Sequence, residues 1–215
     1  MSLFCGDCFC YKKITTFALE NSIYIETQNT KKNMDTSKQF DKSIEICREI
    51  FVKKLSDYGA AWRIMRPQSV TDQIFIKANR IRQIELTGIK KVDEGIFSEL
   101  VAIVNYAVIG LIQLELGCAE NVDISAKEAL EKYNKFVLEA KNLMLAKNHD
   151  YNEAWRLMRP QSYTDMILMK INRTKTIEDH DGETLASEGI DANYFDMLNY
   201  AVFGIIQFLE KEHKI

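Results

Sequence analysis

The chain has 215 residues, 47% apolar, 27% charged and 10% aromatic, which suits one large globular domain or two small ones. A formal net charge of -3 and a pI near 5.7 give no chain-wide attraction to a phosphate backbone, so duplex nucleic acid is not an expected partner. Two prolines and nine glycines leave room for long helices and argue against an all-β fold.

Residues 1–33 carry no sustained helical stripe and end in TQNTKKN, immediately before Met34. They are expected to be disordered or a non-native N-terminal extension, with the native start at Met34. Cys5, Cys8 and Cys10 lie in this segment without a nearby fourth ligand to complete a zinc site. There is no signal-peptide core and no run of about 18 apolar residues. The expectation is a cytoplasmic protein with no membrane contact and with its cysteines as thiols.

From Met34 the pattern becomes helical. A first helix is predicted over about 38–56, followed by an irregular turn carrying DYGAAW. A second helix follows Pro67-Gln68, with Ser69 as N-cap and Asp72 at the third position. A third helix covers about 94–116, Gly117 closes it, and residues 118–124 form a linker. The series then repeats. Ser125 and Glu128 make a capping box for a helix over 125–148; DYNEAW, Pro160-Gln161 with Ser162 as cap, and a last helix over 188–213 follow.

The repetition extends to residue identity. Residues 57–85 and 150–178 align without a gap and agree at eighteen of twenty-nine positions, including AWRIMRPQS against AWRLMRPQS. After a one-residue insertion Glu94-Gly95-Ile96 matches Glu188-Gly189-Ile190, and NYAVIG matches NYAVFG. The leading helices, by contrast, keep only their amphipathic pattern, which is all that packing demands. The predicted fold is therefore all-α: two tandem three-helix units, 34–117 and 125–215, packed as an intramolecular pseudo-dimer helical bundle.

Packing seldom dictates polar residues, so the retained cations are the first candidates for a site. Arg63, Arg66, Lys77 and Arg80 recur as Arg156, Arg159, Lys170 and Arg173. Arginines three apart can present planar forks to phosphate or carboxylate. The competing assignment pairs them internally with the duplicated acids Asp57, Asp72, Glu85 and Glu94. Trp62 and Trp155 are expected to anchor the core. Asn105 and Asn199 fall on the apolar third helices and are expected in buried hydrogen-bond networks. Asp196 stands one turn before Asn199, where oxygen ligands could hold a cation; the first unit has Ala102 there, with Glu99 nearby. His149, His180 and His213 have no counterparts in the other unit, which argues against a duplicated hydrolytic triad. No phosphate loop or dinucleotide fingerprint occurs.

The ordered series Lys54, Asp57, Tyr58, Trp62, Lys77, Arg80, Glu94, Asn105 and Tyr106 resembles the nucleotide-modification-associated all-α domain family, a bacterial and phage domain of unknown function. The second copy repeats it as Lys147, Asp150, Tyr151, Trp155, Lys170, Arg173, Glu188, Asp196, Asn199 and Tyr200. Family members carry Asp-x-x-Asn-Tyr-Ala in the last helix; Asp196 keeps that acid and Ala102 departs from it, as Asn152 departs from the glycine at Gly59. A looser similarity is to the all-α nucleotide pyrophosphohydrolases, whose paired Glu-x-x-Glu signature is not evident. The resemblance implies a nucleotide or nucleotide-derived ligand. The eight repeated cations are the expected phosphate ligands, with Asp150, Glu188 and Asp196 as candidate ligands of Mg²⁺ for phosphohydrolase chemistry. The alternative is a non-catalytic helical interaction module whose charged motif is a structural ion-pair network.

Overall fold

The structure is a computed structural model describing residues 35–89, 95–180, 182–186 and 188–215. The readings made for residues 1–33, including the cysteine cluster, and for Glu94 lie outside the described residues. Within them the chain is all-α and holds six α-helices: α1 Thr36–Tyr58, α2 Pro67–Thr87, α3 Ile96–Leu116, α4 Ala126–Tyr151, α5 Pro160–Glu178 and α6 Ile190–Lys211. Helices α1–α3 and α4–α6 are the two repeats.

Local chemistry sets most helix ends. Ser125 caps α4 through a complete capping box, its hydroxyl accepting from the Glu128 backbone N–H and the Glu128 carboxylate accepting from the Ser125 N–H. The expected serine caps of α2 and α5 are not used. Both helices begin one turn earlier, at Pro67 and Pro160, with Arg66 and Arg159 in extended conformation as N-caps and no side-chain cap bond. Proline at the first helical position has its φ already set and lacks the N–H that would go unbonded there, so the proline starts the helix. Ser69 and Ser162 lie inside the first turn, and Asp72 and Asp165 fall beyond it.

The turn between the first and second helices is a short 3₁₀ segment in both repeats, Ala61–Ile64 and Ala154–Leu157. It is entered through a left-handed residue: Gly59 at φ 65° in the first repeat and Asn152 at φ 50° in the second. The Gly-to-Asn departure noted in the sequence is thus conservative for the backbone, since asparagine tolerates this region better than other side-chain-bearing residues.

The core is one continuous apolar cluster centred on α3 and α6, the most extensively packed pair. Two glycines let them cross closely, each facing a large residue of the other helix. A Cβ on Gly110 would stand 2.5 Å from the Tyr194 ring, and one on Gly204 3.0 Å from Leu100. Gly110 and Gly204 are equivalent positions, as are Leu100 and Tyr194. A contact that repeats with its partners exchanged is the mark of a two-fold interface, here within one chain. Helix α3 is long and apolar enough to cross a bilayer by composition, but 72% of that stretch is buried against the other helices.

The second interface, α2 against α5, repeats the same reciprocity with polar groups. Thr164 donates to Glu85 at 2.9 Å, and the equivalent Thr71 donates to Glu178 at 2.7 Å. Arg82 pairs with Asp165, and the equivalent Lys175 with Asp72 at 2.6 Å. The duplicated Thr, Asp and Glu therefore hold the two repeats together; Asp72 and Asp165 serve this seam and not a helix cap.

Candidate functional site

The retained nonapeptide places its first arginine inside the protein. The Arg63 side chain is 1% exposed, and its guanidinium donates to Asp123 at 2.7 and 3.0 Å, to the Gly117 carbonyl at 2.7 Å and to Gln113. Its own carbonyl accepts from Ala119 N–H at 3.0 Å. Arg63 thus ties the linker between repeats to the first 3₁₀ turn, and its fork is fully engaged. The guanidinium bonds outweigh desolvation and hold the Asp123 carboxyl below its ordinary range. Arg156 is engaged in the same way with different partners: Glu153 at 2.6 Å, Glu210 at 2.8 Å and the Gln39 amide oxygen at 2.6 Å. Its guanidinium also lies 4.4 Å from the Trp155 ring.

Trp62 and Trp155 are buried, 8% and 6% exposed, as the anchor role requires. Trp155 stacks on Phe203 with 4.3 Å between rings. Neither indole nitrogen has a hydrogen-bond partner among the described residues. Asn105 and Asn199 are buried, and each donates to the carbonyl of the matching residue in its leading helix, Cys47 at 3.0 Å and Ala140 at 3.2 Å.

The Lys-x-x-Arg pairs behave differently in the two copies. In the first, Glu99 is 1% exposed and takes both cations, with Lys77 Nζ at 3.3 Å and Arg80 in direct contact. In the second, the sequence position of Glu99 holds Asn193, and the acid stands one turn later as Asp196. Asp196 receives Lys147 at 2.7 Å on Oδ1 and Lys170 on Oδ2. Burial pushes the Asp196 carboxyl up, but the bonds and charges of the two lysines outweigh it and hold it below its usual range. Arg173 has lost the acid that its counterpart Arg80 keeps, and it has no ion-pair partner among the described residues.

Asp150, Glu188 and Asp196 are not brought together as a ligand set among the described residues. Asp150 and Glu188 are exposed, both Asp196 oxygens are held by ammonium groups, and no group of three metal-binding side chains occurs among the described residues. These residues do not fit Mg²⁺: two ammonium groups already balance the buried carboxylate. Asp57 is exposed at the end of α1. Arg66 and Arg159 are exposed beside the prolines and converge on nothing among the described residues.

One surface groove involves a predicted cation. It has a volume of about 500 Å³ and is lined by Leu168, Met169 and Ile177, by Asn172, Arg173 and Thr176, and by the Arg82–Asp165 pair. Sequence reasoning selected Arg173 but not its neighbours, which look like ordinary surface residues of an amphipathic helix. It also missed Gln113 and Gln207. Their amides donate to backbone carbonyls of the retained turns, among them Trp62 and Arg63 in the first repeat and Met158 in the second. Their signal was present: an identical glutamine at equivalent positions in the largely apolar second halves of the two helices.

Comparison with family models gives two matches to one family, described as nucleotide modification associated domain 1, at residues 54–114 and 147–208. No curated protein and no solved structure matches the chain.

Proposed function

The chain belongs to the nucleotide modification associated domain 1 family, in two tandem copies covering most of the residues after the first helix begins, and on that premise we propose that it is a nucleotide-binding protein of nucleotide metabolism or modification. One observation carries the reading: Arg173 keeps its identity across the duplication yet is released from internal pairing, and it lines an apolar-floored groove. A concave site with a few convergent polar groups is the common form of a small-molecule pocket. The experiment is a thermal-shift screen of the full chain against common ribo- and deoxyribonucleotides, with Arg173→Ala alongside. A nucleotide at about a hundred times its Kd raises the midpoint on the order of 5 °C, and the variant loses the shift. If no nucleotide moves the midpoint, this reading fails.

A second reading, a non-catalytic helical interaction module, is favoured by a different observation. Five of the eight repeated cations, Arg63, Lys77, Arg80, Arg156 and Lys170, lie in internal ion pairs. That network accounts for much of the retained charge without a ligand. A flat nucleotide screen, together with co-purification of a stable protein partner, supports it.

A further inference from the structure

The groove on α5 has an equivalent on α2, and the two differ in ways that bear on what each could accept. In the first repeat the corresponding arginine, Arg80, is bound to the buried Glu99. Leu168 is replaced by the larger Phe75, and Lys175 lies over that ring at 4.4 Å while pairing with Asp72. The equivalent place is thus occupied by the protein's own side chains. In the second repeat Leu168 stands where the phenyl ring would be, Arg82 pairs with Asp165 as Lys175 does with Asp72, and Arg173 has no ion-pair partner among the described residues. Asn193, at the position of Glu99, is fully buried and leaves its Oδ1 without a partner among the described residues.

Charge decides the ligand class. Arg82 and Asp165 neutralise each other, which leaves Arg173 as the one uncompensated charge among the residues lining the groove. A phosphate monoester carries about −1.5 to −2 at neutral pH and matches one guanidinium fork through two parallel N–H donors. A di- or triphosphate brings further negative charge with no second unpaired cation among the described lining residues, and their one carboxylate, Asp165, is already paired. Leu168, Met169 and Ile177 offer an apolar bed for a base, and Asn172 and Thr176 supply both donors and acceptors for a sugar or base edge.

Resting on the nucleotide-binding reading above, we infer that the ligand is a nucleoside monophosphate, bound once per chain, in the groove of the second repeat, without a metal ion. Isothermal titration of the full chain with adenosine, guanosine, cytidine, uridine and thymidine and with the 5′-mono-, di- and triphosphate of each, each with EDTA and then with MgCl₂, tests this. The expected result is a stoichiometry of one and clear preference for the monophosphate over the nucleoside. Extending the phosphate chain gives no gain, and Mg²⁺ has no effect. Arg173→Ala weakens binding about tenfold or more, Arg173→Lys recovers part of it, and Lys54→Ala, which removes an exposed cation elsewhere, leaves it unchanged. Tighter binding of the magnesium triphosphate, a stoichiometry of two, equal binding of the bare nucleoside, or full binding by folded Arg173→Ala overturns the inference while nucleotide binding stands. Binding by none of these ligands, with any of the bases, overturns the nucleotide reading itself, and the inference with it.

Discussion

Tyr133 of the second repeat donates its hydroxyl to Asn105 Oδ1 of the first at 2.9 Å, in a buried contact between the repeats. Asn105 in turn donates to the Cys47 carbonyl, so its amide is bonded at both ends. The equivalent arrangement in the other half is incomplete. Asn199 donates to Ala140, but Phe40 stands at the position of Tyr133, and Asn199 Oδ1 has no partner among the described residues. A buried acceptor left unbonded costs about 1–3 kcal/mol. The substitution Phe40→Tyr supplies the missing hydroxyl where the pseudo-two-fold places it. It is expected to stabilise the protein by about 1 kcal/mol in urea denaturation, whereas Tyr133→Phe destabilises by a similar amount. A Phe40→Tyr variant less stable than the parent would mean that the two halves do not superpose closely enough for the exchange.

Arg63 gives the largest effect. Its guanidinium is buried and joins the 3₁₀ turn of the first repeat to the linker through Asp123 and Gly117. Arg63→Ala leaves Gln113 and Gly117 without a donor and opens a cavity, at an expected cost of about 3–5 kcal/mol. Asp123→Asn is milder, because Asp123 is half-exposed and water replaces part of the interaction. Urea midpoints of the two variants compare the costs. Equal, small losses would show that Arg63 does not hold the linker.

The α2–α5 seam adds a pH dependence of definite sign. Burial raises the carboxyls of Glu85 and Glu178 above their ordinary 4.5, more than the bonds from Thr164 and Thr71 lower them. Below pH 4.5 both carry protons in the folded and unfolded chains and exact no penalty. As pH rises through 4.5 the unfolded chain loses its protons first, so folding stability falls until the native carboxyls have also ionised. Asp196 acts oppositely: its carboxyl is held below the ordinary 3.8, so its contribution is present above that pH and is lost in stronger acid. The double substitution Glu85→Gln, Glu178→Gln keeps an acceptor for each threonine and is expected to remove the decline above pH 4.5. Denaturation midpoints from pH 4 to 8 that fall as steeply in the variant as in the parent would refute this.

The duplication made the architecture legible, because a segment repeated with its polar residues implies a repeated unit, and the 3.6-residue period supplied its helices. What one strand of text does not contain is which copy each polar residue serves. Thr71, Asp72 and Glu85 look local in sequence, yet each is bonded across the seam to the other repeat. Arg63 and Arg156 look like a matched pair of phosphate forks, yet both are absorbed by acids whose positions do not correspond, Asp123 in the linker and Glu153 with Glu210 in the second repeat. The serine caps failed for a local reason: proline at the first helical position set the helix start before serine could. The difference between the grooves depends on a single acid shifted by one turn. That shift was visible as Ala102 against Asp196, but its consequence for Arg173 required knowing that Glu99 reaches Arg80.

That same shift can be reversed. Asn193→Glu places an acid in the second repeat where Glu99 stands in the first and narrows the local excess of positive charge: Lys147, Lys170 and Arg173 then stand against two carboxylates in place of one. The position is fully buried, as is Glu99, so the new carboxylate must find Arg173 to be accommodated. Stability at neutral pH is expected to stay within about 1 kcal/mol of the parent, since coupling with Arg173 offsets the burial of the charge. Nucleotide affinity is expected to fall about tenfold, because the guanidinium is then engaged as Arg80 is. Asn193→Gln is the control: it adds the same length without the charge and should leave affinity unchanged. A folded Asn193→Glu protein that still binds nucleotide like the parent would show that the missing acid is not what frees Arg173.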